Sequence, residues 1–246
     1  PYLTLFENTN SFNKNRVLGN VSATYDFSDH LSLKVRAGLD TYNENREFRR
    51  AVSTNANPFG SFRKDNVRFT ELNTDFLFTY KNNFNEDWHY TLTAGANRFD
   101  QKINYSYSEA SQLAIPEIYT LANSRAPLLG NSENLDKRIN SIYGTANIAY
   151  QNELYVDFTY RNDWSSTLPS GNNSFGYYSA GLSFIASNAF ELPEELSYLK
   201  LRLSAASVGN DTDPFQNTQT FIKSVDFFEK ISIWKFSKIS KIKGNQ

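Results

Sequence analysis

The sequence predicts an all-β protein built from antiparallel strands, and two observations support this prediction. Apolar and polar residues alternate with a period of two through most of the chain. Aromatic residues make up 15% of the 246 positions and asparagine is frequent throughout, a composition that favours strands and turns over helices. The chain has no cysteine, which excludes disulfides, thiolate metal sites and cysteine nucleophiles.

Charge and hydropathy exclude further classes of protein. The formal net charge is -1, so the chain lacks the basic excess typical of nucleic-acid-binding proteins. No stretch approaches the roughly 18 to 20 apolar residues that a membrane-spanning helix needs. A membrane β-barrel remains open, because only alternate residues of its strands must be apolar.

Four hairpins, each with one apolar and one polar face, account for eight predicted strands. Their apolar positions are alternate residues of 17–27 with 31–39, 72–80 with 88–96, 142–150 with 154–160, and 178–186 with 199–205. The turns inside the hairpins are mostly short. The connections between hairpins are predicted to be long polar loops, at about 43–66, 101–138 and 164–174.

Loop lengths and aromatic positions favour a transmembrane barrel. Short turns at one end of the strands and long loops at the other are typical of outer-membrane barrels. Aromatic residues lie near both ends of the strands, where they would form belts at the two membrane interfaces: Tyr25, Phe27, Phe78, Tyr80, Trp88, Tyr90 and Tyr150 beside short turns, and Phe99, Tyr160 and Tyr178 at the other end. The alternatives are a closed eight-stranded outer-membrane barrel and a soluble, aromatic-rich β-sandwich that binds carbohydrate.

Three ordered stretches of the chain closely resemble the SusC/RagA family of TonB-dependent outer-membrane transporters. The first reads RNDWSSTLP at 161–169, followed by GNNSF at 171–175. The second is LKLRL at 199–203 leading to VGNDTDP at 208–214, and the third is the opening run from residue 8 to residue 38. The signature loop residues among them are Arg161, Asp163, Trp164, Ser165, Ser166, Gly209, Asn210, Asp211 and Asp213.

The resemblance implies a location in the bacterial outer membrane and a role in nutrient uptake. Residues 1–220 would be a partial barrel domain, about eight strands of a 22-stranded barrel. A member of the family imports glycans or peptides with a SusD-like surface lipoprotein acting as a lid, while TonB pulls on a plug inside the barrel. No plug, TonB box, signal peptide or closing strand is visible in this sequence, so we expect a fragment that does not transport alone.

Charged residues alternate along the polar face that the barrel hypothesis directs to the lumen. They contact the plug or a passing substrate on one interpretation, and on the other they solvate a water-filled interior and pair with their neighbours. The predicted lumen-facing residues are Lys34, Arg36, Asp75, Asp157, Arg161, Asp163, Lys200 and Arg202. Aromatic residues of the long loops would stack on sugar rings or pack within the loops: Phe48, Phe59, Phe62, Tyr105, Tyr107 and Tyr119.

The sequence offers no constellation for catalysis. The two histidines, His30 and His89, are far apart and lie near turns. Asn210, Asp211 and Asp213 lack the remainder of an EF-hand loop. We therefore expect neither an enzyme nor a bound metal or cofactor. Residues 221–246 form a Lys/Ile/Phe-rich tail that matches no family pattern, for which we expect a frameshift origin, the alternative being an amphipathic membrane-surface segment.

Overall fold

The structure, a computed structural model, consists of one antiparallel β-sheet. It describes residues 6–169, 171–190, 193, 196–209, 211–212 and 214. The strands are β1 (Asn10–Asp26), β2 (Leu31–Thr54), β3 (Asn57–Asn83), β4 (Trp88–Ala110), β5 (Leu129–Tyr150), β6 (Leu154–Ser165), β7 (Ser174–Ile185) and β8 (Lys200–Ala206). A 3-10 turn (Leu121–Asn123) and a helix, α1 (Ala186–Ala189), are the short helical elements. The predicted all-β fold of eight antiparallel strands is confirmed.

Each strand pairs with its neighbours in the sequence, and the sheet is open. Within the described residues β1 pairs only with β2 and β8 only with β7, so these strands do not close into a small barrel. None of the helices in these ranges is long and apolar enough to cross a membrane. The domain boundary expected at residue 220 and the tail at 221–246 lie outside the described residues.

The register places the apolar positions of all eight strands on one face. Leu33 pairs with Tyr25 on one side and with Phe78 on the other, and Phe78 pairs in turn with Ala94. Directly paired residues point to the same side of a sheet. The predicted alternation therefore produces one continuous apolar surface, which we call the apolar band. On β2 to β5 the band spans nine residues each, at 31–39, 72–80, 88–96 and 142–150.

No second layer covers the apolar band in the described part of the chain. Val21 is 69% exposed, Tyr25 65% and Leu203 73%. A β-sandwich would bury these side chains between two sheets about 10 Å apart. The structure therefore lacks the core that the soluble β-sandwich hypothesis requires.

The upper edge of the apolar band, on the side away from the short turns, crosses the sheet obliquely. One row of paired residues runs from Leu39 through Leu72 and Asp100 to Arg138. This row is apolar on β2 and β3 but charged on β4 and β5, so it leaves the band between β3 and β4. Rows of paired residues run perpendicular to the strands in an antiparallel sheet. Strands of a barrel tilt by about 35–45° from its axis, so a level apolar belt crosses these rows at an angle. The stagger of the band is the one that tilted barrel strands produce.

Two of the three predicted long loops are largely strand. β2 and β3 are 24 and 27 residues long, and they meet at a tight turn at 55–56. The connection between β4 and β5 shrinks to residues 111–128. The prediction failed because charged side chains occupy both faces of these extensions, where cross-strand pairs such as Lys64 with Glu47, at 3.0 Å, replace apolar alternation.

The connection at 111–128 folds back onto the extension of β3. The Leu113 amide donates to the Phe59 carbonyl at 3.2 Å, and Leu113 and Ser124 form an isolated bridge. Gly60 has a φ of +69°, and a Cβ there would lie 2.8 Å from the Arg50 carbonyl oxygen. The contact buries a small cluster that we call the loop core: Phe62, Ala110, Leu113, Tyr119 and Leu121.

Phe62→Ala should release the connection from the sheet. Phe62 is 1% exposed, and truncation of a buried phenylalanine costs about 3–5 kcal/mol. We expect amide exchange of residues 111–128 to accelerate by about a hundredfold or more, with no change within the apolar band. Phe59→Ala is the matched control, since Phe59 is 45% exposed. Equal acceleration in both variants would show that the loop core does not fasten this connection.

Candidate functional site

The face opposite the apolar band carries all eight residues that were predicted to face a lumen. Lys34 and Arg36 lie on β2, Asp75 on β3, Asp157, Arg161 and Asp163 on β6, and Lys200 and Arg202 on β8. Their shared face follows from register. One continuous row of paired residues runs from Arg36 through Asp75, Asn97 and Ser141 to Asp163. Their contact with a substrate stays a prediction.

Arg36 and Asp75 form the first of two charged centres on this face. Arg36 donates from Nε and Nη2 to Oδ2 of Asp75 at 3.0 and 2.8 Å. Asn97 donates to the other oxygen of the same carboxylate at 2.7 Å. Asp75 is only 7% exposed, so these charge-assisted bonds replace the water that its carboxylate loses.

Arg161 and Asp163 form the second centre. Arg161 Nε donates to Asp163 at 2.7 Å, and its Nη2 donates to the Ser141 hydroxyl at 2.8 Å. Tyr177 donates its hydroxyl proton to the other Asp163 oxygen at 2.8 Å. Every atom of this carboxylate that can accept a hydrogen bond therefore has a donor from the protein.

Tyr143 lies between the two centres. The Arg161 guanidinium carbon is 5.4 Å from the centre of the Tyr143 ring. Gly95 pairs with Tyr143 across the sheet, and a Cβ at Gly95 would lie 2.3 Å from the ring carbon Cζ. Glycine is therefore required at 95 for the tyrosine ring to lie flat on β4. We call the whole set the inner network: Arg36, Asp75, Asn97, Ser141, Tyr143, Arg161, Asp163 and Tyr177.

The remaining predicted residues divide into paired and unpaired groups. Asp157 accepts a hydrogen bond from Asn147 at 2.6 Å, and the Lys200 ammonium lies 5.9 Å from the Tyr155 ring. Lys34 and Arg202 form no ion pair with any residue in the described ranges. Both cations are exposed and therefore available to a solute.

The signature loops come together around Asp211. Lys137 Nζ donates to Asp211 at 2.8 Å, and the Ser165 hydroxyl donates to its second oxygen at 2.7 Å. Thr167 lies 2.8 Å from the Ser165 hydroxyl and 3.4 Å from the same carboxylate. Ser166 fastens the loop to β5, because its hydroxyl accepts a hydrogen bond from the Arg138 amide at 2.9 Å. The two stretches that were singled out separately in the sequence are therefore in contact.

Burial and hydrogen bonding act in opposite directions on the pKa of Asp211. Burial acts to raise it, but the hydrogen bonds from Lys137 and Ser165, with the positive charge of Lys137, outweigh burial and lower the pKa below its usual value. The carboxylate is thus ionised and fully engaged at neutral pH. The described residues contain no group of three or more metal-ligating side chains.

Two further signature residues, Gly209 and Trp164, lie away from the Asp211 carboxylate. A Cβ at Gly209 would lie 2.7 Å from Cδ2 of Phe175, so glycine permits the close approach of this backbone to the ring. Trp164 lies on the apolar face and is 36% exposed. Asn210 and Asp213 lie outside the described residues.

A second group of charges was not predicted from the sequence. It lies on the polar face, beyond the upper edge of the apolar band. Arg63 donates to both oxygens of Asp65, at 2.7 and 3.0 Å, and Tyr105 donates to the same carboxylate at 2.8 Å. The Arg46 guanidinium holds the pKa of the Glu44 carboxyl below its usual range by hydrogen bonding, against the effect of burial. Apolar alternation stops before these residues, so the sequence carries no such signal of strands where long loops were predicted.

The aromatic residues assigned to long loops have different positions. Phe48, Phe59, Phe62, Tyr105 and Tyr107 lie on strands, and only Tyr119 lies in a connection. Phe62 is buried in the loop core, and the Tyr105 hydroxyl is bonded to Asp65. Phe48 lines an open hollow of about 330 Å³ on the polar face, together with Arg50, Asn57, Ser61, Arg63 and Glu109. Stacking on sugar rings is thus excluded for Phe62 in this conformation.

The fold is similar to part of a solved transporter. The chain matches a structure of the RagAB peptide transporter with a TM-score of 0.75 and 21% identity, over 94% of this chain and 27% of that one. The RagAB peptide importer in its closed-closed and open-open states gives TM-scores of 0.74 and 0.71, also at 21% identity, over 93% of this chain and 26% of those. The chain thus spans about a quarter of the proteins it matches. No protein-family model and no curated protein matches it.

Asp211→Asn should break the contact between the two signature stretches, at 161–169 and 208–214. It should also abolish the dependence of that contact on pH in acid. Because folding lowers the pKa of Asp211, its stabilising effect is complete above the unfolded pKa of about 4 and is lost as the pH falls through the lower folded value. Loss of a hydrogen-bonded charge at this site should cost about 2 kcal/mol of loop stability.

Trp164, which precedes Ser165 in the chain, serves as a fluorescent probe of this change when Trp88 and Trp234 are replaced by phenylalanine. Acrylamide quenching of Trp164 should rise below about pH 4 in the parent chain. In Asp211→Asn it should be high at pH 7 and independent of pH. Asp29→Asn, in a short turn, is the control. Identical acid profiles with and without Asp211 would refute this role for the carboxylate.

Proposed function

We propose that this chain forms part of the wall of a TonB-dependent transporter in the bacterial outer membrane. The observation that carries the proposal is the exposed apolar band, whose segments are about as long as the 9–11 residues of a transmembrane β-strand. A polar, charged face lies directly behind it. This is the arrangement of a barrel wall with lipid outside and water inside.

The backbone of the sheet supports the same assignment. Only helices and closed barrels satisfy every backbone hydrogen bond in lipid, and β1 and β8 are unpaired edges within the described residues. In a membrane these edges need further strands, which come from a larger barrel or, for the isolated chain in vesicles, from other copies of it. A chain that spans about a quarter of the RagAB transporter chains is consistent with that need. We therefore infer that the chain acts within a larger barrel and does not transport alone.

Peptides are the solute class that the polar face favours over glycans. The RagAB structures are of a peptide transporter, and the exposed cations Lys34 and Arg202 suit the carboxylates of a peptide, which neutral glycans lack. Two of the aromatic residues suggested for sugar stacking are instead engaged within the protein. On the resemblance of the sequence to the SusC/RagA family, we further propose a SusD-like lipoprotein and TonB as partners. The same resemblance supports a role in transport and not in catalysis.

Val35→Arg and Ser32→Arg test the membrane-facing assignment. Val35 lies at the middle of the apolar band on β2, and Ser32 lies on the opposite face. In phosphatidylcholine vesicles, an arginine on the lipid face near the midplane should lower the free energy of unfolding by about 2–4 kcal/mol, whereas one on the water side should be nearly neutral. Denaturant titration of the refolded chain measures both. Equal effects of the two substitutions would contradict the proposed function.

A further inference from the structure

Basic side chains are concentrated where the apolar band ends, on the same outward face. The four residues are Arg68 on β3, Arg98 and Lys102 on β4, and Arg138 on β5, and all are exposed. Their side chains share the face of the band, because Arg138 pairs with Asp100, which pairs with Leu72. We call these four residues the basic rim.

Acidic residues neutralise only part of the basic rim. Asp100 accepts from Arg98 Nε at 2.6 Å and from Arg138 Nε at 2.5 Å, which leaves the outer guanidinium nitrogens of both arginines without a partner in the described chain. Asp136 pairs in register with Lys102 without forming an ion pair. Arg68 makes no ion pair with any described residue. Four cations against two carboxylates leave the rim with a net charge of about +2 at neutral pH.

The opposite end of the sheet has the reverse charge. The three short turns, at 27–30, 84–87 and 151–153, contain four acidic residues and neither lysine nor arginine. The acidic residues are Asp29, Glu86, Asp87 and Glu153. The two ends of the membrane-facing surface are therefore electrostatically different, as they would be in a membrane whose two leaflets differ in charge.

We propose that the basic rim binds the phosphate groups of an anionic glycolipid, of the lipid A class, in the leaflet on the side away from the short turns. This inference rests on the proposed function. Guanidinium groups bind phosphate through paired hydrogen bonds, and basic residues beside a membrane attract anionic headgroups. The apolar band directly below the rim offers a surface on which acyl chains can pack. Free phosphate has no acyl chains to use this surface. The ligand is therefore a lipid.

The spacing of the rim favours a headgroup with two phosphates. Arg68 and Lys102 are diagonal neighbours, because Lys102 pairs with Thr70, two residues from Arg68. Arg98 lies four residues from Lys102 along β4, a distance of about 13 Å. The rim therefore presents two separate cationic positions: Arg68 with Lys102, and Arg98 with Arg138.

The test compares lipid A carrying two, one or no phosphates, each added to the refolded chain in detergent micelles, with the retained lipid measured by native mass spectrometry. We expect the form with two phosphates to be retained most, the form with one phosphate less, and the form without phosphate least. Arg68→Gln with Lys102→Gln should weaken binding of the two-phosphate form by about thirtyfold, since each residue contributes about 1 kcal/mol. Lys81→Gln with Arg125→Gln removes the same charges at positions away from the rim and should leave binding unchanged.

Separate outcomes distinguish the two proposals. Equal retention of all three lipids, or equal weakening in both double variants, would overturn the lipid site. Displacement of the lipid by inorganic phosphate would show a simple anion site and would also overturn it. Insertion of the chain into phosphatidylcholine vesicles without lipid A, measured by protease protection, tests the proposed function alone. Insertion without phosphate selectivity would refute only the basic rim as a lipid site.

Discussion

The whole structure depends on one constraint, which is that paired residues on neighbouring strands point to the same face. Leu33 pairs with Phe78, and this parity continues without interruption from β1 to β8. A slip of one residue in any pair would move that strand's apolar side chains to the charged face. Because β2 to β5 each have nine consecutive positions in the band, the cost of such a slip is multiplied along their length. The register is therefore fixed by side-chain chemistry, with little need for specific turns.

The polar face follows from the same parity. Each outward apolar residue implies an inward neighbour that meets water, and there the sheet carries Arg36 with Asp75 and Arg161 with Asp163. These centres link β2 to β3 and β6 to its neighbours by hydrogen bonds across strands, so they stiffen the wall as well as charge it. Beyond the band both faces are polar, and β2 to β5 continue as a ribbon that depends on ion pairs and on the loop core. The same antiparallel strand pairing thus forms both the sheet behind the apolar band and the polar ribbon beyond it.

The sequence predicts the parts of this fold that rest on local alternation. The eight strands, their faces and the three short turns follow from it. The extensions at 43–66 were missed because Glu47 and Lys64 stabilise a strand without apolar alternation, and this pairing is visible only across two strands. The contact of Ser165 with Asp211 links residues 46 positions apart and depends on β7 and β8 lying between them. Likewise, the fit of Tyr143 over Gly95 needs the register of β4 with β5. Family resemblance singled out Ser165 and Asp211, but only the structure shows why they matter together.

The most direct test of the account is the environment of alternate residues along β3. The chain has no cysteine, so single cysteines can be placed at each position from 72 to 80 and spin-labelled after refolding into vesicles. Collision with oxygen, which concentrates in lipid, should peak at the even positions. Collision with a water-soluble nickel complex should peak at the odd positions. A profile without period two, or one with the two reagents exchanged, would contradict the claim that this sheet is a barrel wall between lipid and water.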